Sequence, residues 1–277
     1  MLLRTITAVL LVIFMIPILI LSDTYIFVAA VVFFSFAAAF ELIRCLGFSR
    51  KFAIAIPSYL VAIVMPLGVR FVGDHLLYVM CMMAILFLYL FYLFALAVFS
   101  RGGLIMRDLS EVFMIDLYIS CAFTSIILIR DLPYGQYLYL LIFIGAWVTD
   151  IFAYFTGVLL GRHKLIPEIS PKKTVEGMIG GVVFCSAAYV LFGYIVGSMT
   201  KATPDYLYLA LAGLVVSFVS QLGDLVASLI KRQHDIKDFG RIFPGHGGVL
   251  DRFDSVMAVA PFLLIWCSFP DVLSLLF

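Results

Sequence analysis

The stretch YLYLLIFIGAWVTDIFAYFTGVLL, from Tyr137 to Leu160, decides the fold class of this chain. About 20 mostly apolar residues allow a helix to cross the hydrocarbon core of a bilayer, and this stretch carries one carboxylate, Asp150, among apolar neighbours. The composition agrees, because 65% of the 277 residues are hydrophobic and the mean hydropathy is +1.18. One soluble core cannot hide so much apolar surface. We therefore predict an all-α integral membrane protein.

Nine apolar runs of this kind predict a polytopic bundle of about nine transmembrane helices in a single membrane domain, residues 1–277. The first resembles a signal peptide because Arg4 precedes it, but the eight further runs favour an uncleaved anchor. Residues 1–134 carry few polar groups inside the runs, which is typical of scaffold helices, whereas residues 135–277 would form the catalytic helices and cytoplasmic loops. The predicted spans are Ile6–Ser22, Tyr25–Phe40, Phe52–Val69, Leu76–Phe99, Val112–Ile129, Tyr137–Leu160, Val175–Met199, Tyr206–Ile230 and Val249–Phe269.

Positive charge is distributed unevenly over the predicted loops. Of the 18 Lys and Arg residues, 15 fall in alternate loops on one side of the membrane, which leaves Arg70, Arg130 and Lys201 for the other side. Cytoplasmic loops carry the excess of Lys and Arg. We therefore predict a multi-pass protein of the cell (inner) membrane with its N-terminus and active site at the cytoplasmic face and its C-terminus outside. The net charge of +1 gives no indication of a nucleic-acid partner, and none is expected.

The five cysteines favour no chemistry. Cysteine in an apolar run usually behaves as a small hydrophobic residue, so we expect neither a disulfide nor a thiol nucleophile. All five lie in or beside such runs, without paired or metal-ligand spacing: Cys45, Cys81, Cys121, Cys185 and Cys267.

Asp224 lies inside a predicted span, where a charged side chain costs about 2.5 to 3.5 kcal/mol on insertion scales and should face the protein interior or a water-filled cavity. Polar residues recur around it at steps of three and four, so they share one helix face. This polar stripe either leads into a site or forms an interhelical hydrogen-bonding seam through its Ser and Gln members. Asp150 could likewise line the site or join neighbouring helices. The stripe consists of Ser217, Ser220, Gln221, Asp224, Ser228 and Lys231.

Two adjacent lysines, Lys172 and Lys173, follow Ser170-Pro171 in the loop RHKLIPEISPKKTVEG. Ser-Pro is a helix-start signal, so we expect both ammonium groups near a helix N-terminus, where backbone N–H groups and the helix dipole favour an anion. A polyphosphate would suit this position. The alternative is a pair of juxtamembrane lysines that serve topology or contact anionic lipid headgroups.

Charged side chains and glycines crowd together in KDFGRIFPGHGGVLDRFDS, Lys237–Ser255. The glycines would let the backbone approach a ligand closely. Asp251 and Asp254 are one helical turn apart and, with Asp224, form a hard-oxygen set suited to Mg²⁺ shared with phosphates. The alternative is that they only cap the helix. His246 has no second His at ligand spacing, so we expect it to contact a phosphate or a base.

The residues from Ser228 to Asp254 follow the pattern S-x-x-K-R-x4-K-D-x-G-x2-F-P-x-H-G-G-x-x-D-R-x-D, which resembles the signature of phosphatidate cytidylyltransferases, also called CDP-diacylglycerol synthases. Every position of that signature is filled, and SPKKTVEG, Ser170–Gly177, is similar to a second stretch of the family. The resemblance covers about Asp150 to Asp254. It implies transfer of a cytidylyl group from CTP to phosphatidic acid, a homodimer, and a Mg²⁺-dependent site with K⁺ as a second cation in some members.

The resemblance and the residues together assign roles. We assign Asp224 and Asp251 to the metal, with Asp254 as a third carboxylate of the catalytic set. A phosphate oxygen of phosphatidic acid would attack CTP directly, so no protein nucleophile is required. The predicted substrate-binding residues, whose division between CTP and phosphatidic acid stays open, are Lys172, Lys173, Ser228, Arg241, His246, Gly247, Gly248 and Arg252.

Other classes of membrane protein compete with this prediction. A transporter or channel would spread its acids across the membrane depth and use discontinuous helices, whereas here the charged residues concentrate at the predicted cytoplasmic end. A CTP-dependent polyprenol kinase would release CDP instead of pyrophosphate. A CDP-alcohol phosphatidyltransferase would carry D-G-x2-A-R followed by G-x3-D-x3-D, an arrangement that this sequence lacks.

Overall fold

The computed structural model describes residues 13–201, 203–243, 245 and 247–269. Nearly all of their regular structure is helical, which confirms the all-α prediction for this part of the chain. A helical segment at residues 13–20, here called α1, is followed by α2 (Tyr25–Cys45), α3 (Phe52–Gly68), α4 (His75–Phe99), α5 (Met106–Arg130), α6 (Gly135–Leu160), α7 (Val175–Thr200), α8 (Tyr206–Gln233) and α9 (Leu250–Cys267).

Six of the described helices, α2 and α4 to α8, are long and apolar enough to cross a membrane. Helix α3 is apolar but has only 17 residues. Each predicted run from Tyr25 onward coincides with a helix, and the largest discrepancy is at α5, which begins at Met106 instead of Val112 because a polar first turn precedes the apolar run. The start of the first run, Ile6–Ser22, lies outside the described residues. A multi-pass membrane protein is therefore confirmed, while the count of nine spans stays a prediction.

Polar side chains set the starts of four helices. In each case the capping oxygen accepts a hydrogen bond from a backbone N–H in the first turn, at 3.0 to 3.3 Å. Such caps satisfy N–H groups that have no partner within the helix. The capping residues are Thr24 for α2, Asp74 for α4, Thr174 for α7 and Asp205 for α8.

A short antiparallel hairpin lies between α6 and α7. Its strands are β1 (Lys164–Ile166) and β2 (Ser170–Thr174). The prediction that Ser170-Pro171 starts a helix was wrong, because both residues belong to β2, which pairs with β1, and α7 begins only at Val175. Lys172 and Lys173 therefore lie on a strand, directly before a helix that Thr174 caps.

The contacts divide the chain into two compact units, of which the first comprises Met1–Ile127 and Ile236–Arg252. In this unit α2 packs against α3, and α3 against α4. The buried carboxylate of Asp116 on α5 accepts hydrogen bonds from the hydroxyls of Ser58 on α3 and Tyr89 on α4. A buried polar group needs such partners, so this network fixes the three helices against each other.

The second compact unit comprises Leu128–Asp235 and Phe253–Phe277. Helices α6, α7 and α8 pack together in it, each against the other two. The approach of α8 to α7 is close, because a Cβ atom at Gly213 would lie 2.7 Å from the Ser186 Cα. This three-helix packing positions the polar residues described below.

Each compact unit combines stretches that are separate in the sequence. One boundary, between residues 127 and 128, lies close to the predicted division at residue 134. Residues 236–252, however, group with the N-terminal helices, and they include the first residues of α9. Part of the chain that we predicted as catalytic is therefore packed with helices that we predicted as scaffold.

Candidate active site

The polar stripe on α8 begins with a seam between helices. Thr149 on α6 donates a hydrogen bond to the Ser217 hydroxyl at 3.1 Å. Gln221 donates to the Ser217 hydroxyl and to the Met178 carbonyl on α7, both at 3.3 Å. Ser217 and Gln221 are buried. This part of the stripe is the interhelical hydrogen-bonding seam that the sequence left as an alternative.

Asp224, one turn further along α8, is paired with a lysine of the hairpin. Lys173 Nζ lies 2.8 Å from Asp224 Oδ2 and 3.4 Å from the Gln221 carbonyl oxygen. The Ser228 hydroxyl donates to Asp224 Oδ1 at 3.4 Å. The side chains of Lys173 and Asp224 are 22% and 27% exposed, so the pair is partly shielded from water. A predicted anion-binding residue and a predicted metal ligand thus neutralise each other.

Two further carboxylates lie in the same unit as Asp224. Asp254, on α9, is within electrostatic range of Asp224, Asp150 and Lys231. The Ser255 hydroxyl donates to Asp150, at 3.0 Å from Oδ2 and 3.3 Å from Oδ1. Asp150, whose role the sequence left open, is therefore a member of an acidic cluster formed by Asp150, Asp224 and Asp254. Ser255 was not predicted, although it directly follows Asp254 in the sequence.

The acidic cluster has the donor chemistry of a Mg²⁺ site. Carboxylate oxygens are hard ligands of the kind that Mg²⁺ prefers, but Mg²⁺ is usually held by one or two carboxylates together with waters and substrate phosphates. Within the described part of the chain, no group of three or more His, Cys, Asp or Glu side chains is arranged to hold a metal ion by itself. The assignment of Mg²⁺ to this site therefore stays a prediction.

Glu176 in the first turn of α7 holds the hairpin that carries Lys173. Its carboxylate accepts hydrogen bonds from the backbone N–H of Arg162 at 3.1 Å and of His163 at 3.2 Å. The His163 ring donates from Nδ1 to the same carboxylate at 2.6 Å. These contacts fix the residues just before β1, and β1 pairs with β2. The position of Lys173 therefore depends on Glu176.

The glycine-rich segment of the first unit, residues 237–249, is called the glycine loop here. Gly245 and Gly247 have φ angles of +78° and +85°, in the left-handed region that glycine adopts without strain. The Phe243 N–H donates to the Gly247 carbonyl at 3.0 Å and closes the turn. The described residues on the two sides of the turn are thus held together.

Asp251 stabilises the glycine loop from the start of α9. Its Oδ2 accepts hydrogen bonds from the Phe239 N–H at 2.8 Å and the Gly248 N–H at 2.9 Å, and the side chain is buried. Asp251 therefore has the kind of structural role that the sequence left as an alternative. Its assignment to the metal stays a prediction.

Glu41 on α2, which the sequence analysis did not select, binds the same loop. Its side chain is 2% exposed. Oε1 accepts from the Val249 N–H at 3.0 Å, and Oε2 accepts from the Leu250 N–H at 2.9 Å. A signal was present, because an ionisable residue directly after the apolar run Tyr25–Phe40 is costly without a partner.

The predicted anion-binding residues are distributed over both units. Lys173 and Ser228 contact Asp224, as described above, and Lys172 is exposed beside Lys173 on β2. Arg241 and Arg252 are exposed in the first unit. His246 lies outside the described residues. The substrate-binding roles of these residues, and those of Gly247 and Gly248, stay predictions.

Comparison with known proteins gives one consistent result. A sequence profile described as "Cytidylyltransferase family" matches residues 2–269. The phosphatidate cytidylyltransferase of Staphylococcus haemolyticus (strain JCSC1435) is 34% identical over 269 residues, which is 95% of this chain and 97% of the relative.

Two other relatives match more strongly over a shorter region. The phosphatidate cytidylyltransferase of Bacillus subtilis (strain 168) is 47% identical over 148 residues, covering 53% of this chain and 54% of the relative. That of Brucella abortus (strain 2308) is 46% identical over 157 residues, covering 55% of this chain and 56% of the relative. The chain therefore matches about half the length of these two relatives and nearly all of the staphylococcal one.

Proposed function

Because the chain belongs to the cytidylyltransferase family, we propose that it is a phosphatidate cytidylyltransferase that uses CTP. A phosphate oxygen of phosphatidic acid attacks the α-phosphorus of CTP, and the bond from that phosphorus to the oxygen bridging to the β-phosphate breaks. Pyrophosphate leaves, and CDP-diacylglycerol stays in the bilayer. The observation that carries the proposal is the contact between Lys173 and Asp224 beside further carboxylates in a unit of apolar helices.

The nucleophile of this reaction belongs to the substrate. The phosphate of phosphatidic acid is already anionic at neutral pH, so no side chain has to be activated as a nucleophile. The difficulty is to bring two highly charged anions together, and positioning and electrostatic compensation are the means of doing so. The protein groups that matter are therefore cations, carboxylates that hold a metal, and the elements that orient them.

Lys173 is suited to respond to the arrival of a triphosphate. Without substrate its ammonium is neutralised by Asp224. Since the pair is partly exposed, rotation of the lysine side chain can exchange the carboxylate for a phosphate oxygen, which leaves Asp224 Oδ2 available to another cation. The hairpin and α8 would thus be linked through the substrate.

Mg²⁺ is the cation that the acidic cluster suits. It would be held by Asp224, with Asp254 as a further carboxylate, and when bound it would neutralise charge on the CTP phosphates. Asp150, oriented by Ser255, adds negative charge nearby. K⁺ as a second cation, which the family resemblance implies, is included in this proposal.

The membrane explains how the lipid substrate reaches the site. The acyl chains of phosphatidic acid would remain in the bilayer beside the apolar helices while the headgroup meets the polar end of the second unit. The excess of Lys and Arg in alternate loops supports a cytoplasmic site in the cell (inner) membrane, with the N-terminus inside and the C-terminus outside. The proposed assembly is a homodimer, as the family resemblance implies.

Product analysis of the purified protein tests this function. We expect protein in detergent, given Mg²⁺, labelled CTP and phosphatidic acid, to form CDP-diacylglycerol and pyrophosphate in equal amounts. Release of CDP with a phosphorylated lipid would indicate a kinase instead. Substrate-dependent flux in liposomes without nucleotide turnover would indicate a transporter. Either result would contradict the proposal.

A further inference from the structure

We infer that Glu41 is a positioning residue for the glycine loop, residues 237–249, and acts through it on the anions that the loop binds. The inference rests on the proposed function, since the loop's role in substrate binding is part of that function. Glu41 reaches the loop from α2, and its contact with Val249 joins residues 208 positions apart. It touches backbone groups of the loop.

Two carboxylates divide the N–H groups at the base of the loop. Glu41 accepts from Val249 and Leu250, and Asp251 accepts from Gly248. Glu41 and Asp251 lie within electrostatic range of each other, and the N–H donors offset the repulsion between the two carboxylates. Three successive N–H groups at the start of α9, a position that favours an anion, are thus taken by carboxylates of the protein itself. These three N–H groups are therefore engaged within the protein, and the loop sets where its cationic side chains lie.

The same carboxylate explains two glycines of the loop. A Cβ atom at Gly240 or at Gly248 would overlap the carboxylate of Glu41. Neither glycine has a positive φ. Glycine is therefore required because a Cβ atom would have no room, and not because of the backbone conformation. We predicted that a ligand phosphate would approach the backbone closely at Gly248. In the structure the carboxylate of Glu41 makes this close approach.

This arrangement has a specific kinetic consequence. If Glu41 is altered, the loop samples other conformations, and only a fraction of the molecules is competent to bind. The apparent dissociation constant rises by the inverse of that fraction, whereas molecules that have bound substrate react normally. KM therefore rises while kcat is retained at saturation. A residue that served only global stability would lower kcat per mole of protein and leave KM unchanged.

Glu41→Gln is the first test variant. The amide keeps the size of the side chain but presents an NH₂ group to one of the two N–H donors. We expect KM for CTP or for phosphatidic acid to rise about ten-fold or more with kcat within about two-fold. Hydrogen exchange of residues 237–249, measured without substrate, should become faster. Glu168→Gln, the same change at an exposed position in the turn between β1 and β2, is the control and should alter neither quantity.

Gly240→Ala tests the same contact from the loop side. The added methyl group should displace the Glu41 carboxylate and raise KM as Glu41→Gln does. In a Glu41→Ala background the methyl group meets empty space, so we expect Gly240→Ala to have no further effect. The two changes should therefore be strongly non-additive, as expected for residues in contact.

The outcomes separate the inference from the proposed function. Unchanged KM and unchanged exchange in Glu41→Gln, a fall of kcat at constant KM, or additive effects of the two substitutions would each overturn the role of Glu41. A wild-type protein that forms no CDP-diacylglycerol would instead overturn the proposed function. The exchange measurement would still test the contact in that case, because it needs no substrate.

Discussion

Asp224 is the carboxylate on which most of the proposed chemistry depends. It contacts Lys173 and Ser228 and lies within electrostatic range of Asp254. We expect Asp224→Asn to lower the rate of CDP-diacylglycerol formation by about 100-fold or more, because the neutral amide is a poor Mg²⁺ ligand and transition-state charge would lose its compensation. The measurement is kcat at saturating CTP and Mg²⁺.

Asp205→Asn is the matched control for this prediction. It makes the same chemical change at the other end of α8, where Asp205 caps the helix by accepting from the Tyr208 N–H. Asparagine is an equally good N-cap, so activity and melting temperature should stay as in the wild type. Wild-type activity in Asp224→Asn would show that this carboxylate does not hold the metal.

Lys173 gives a second prediction at the residue scale. We expect Lys173→Ala to reduce kcat/KM for CTP by about 100-fold, since a cation close to the phosphates is lost. The melting temperature should also fall, because removing one partner of a partly shielded ion pair leaves the charge of Asp224 uncompensated. Lys201→Ala, on the connection between α7 and α8, is the control and should retain activity. A large loss of thermal stability without loss of kcat/KM would assign Lys173 a structural role.

The hairpin β1–β2 is the element that presents Lys173, and Glu176 fixes it. Glu176→Gln removes the charge that accepts three hydrogen bonds from Arg162 and His163. The weakened contacts would loosen the residues just before β1, so we expect faster hydrogen exchange at residues 162–166. We also expect activity to fall by about ten-fold.

Glu168→Gln is the control for the hairpin prediction, because Glu168 is exposed in the turn between the strands. It should change neither exchange nor activity. If Glu176→Gln left both unchanged, β1 would be positioned by its pairing with β2 alone.

Helices were the most predictable elements of this chain. Length and hydropathy located them because an apolar run of about 20 residues has few alternatives in a membrane. The hairpin was missed, since Ser170-Pro171 is a local signal that favours a helix start, whereas strand pairing with residues 164–166 depends on a neighbouring segment. Local signals are weak where such pairing decides the structure.

Site residues were predictable where the sequence places a charged side chain in an apolar run, which costs free energy unless the side chain has a function or a partner. Asp224 is isolated among apolar neighbours, and its spacing to Ser217 and Gln221 shows a shared helix face. The pairing of Asp224 with Lys173 was not predictable, because it joins residues on separate elements. Glu41 was missed for the same reason, since its partners Val249 and Leu250 are about 200 positions away.

At the scale of the whole chain, the two compact units change how the functional halves are understood. The glycine loop is grouped with α2 to α5 and is held by Glu41 on α2. Helices predicted as scaffold therefore contribute directly to the loop that carries half of the predicted substrate-binding residues. A protein truncated to residues 135–277 would lack that support.

The orientation of the chain in the membrane can be tested at two exposed positions that α7 separates. Glu168 lies in the hairpin turn before α7, and Thr203 lies after it. The excess of Lys and Arg in alternate loops predicts that Glu168 is cytoplasmic and Thr203 is external.

The five native cysteines are free, so they can be replaced without breaking a disulfide before Glu168→Cys or Thr203→Cys is introduced. In intact cells a membrane-impermeant maleimide should label Thr203→Cys, and it should label Glu168→Cys only after permeabilisation. The reverse pattern would place the acidic cluster on the side of the membrane that lacks CTP, and labelling of both positions from outside would contradict a membrane crossing by α7.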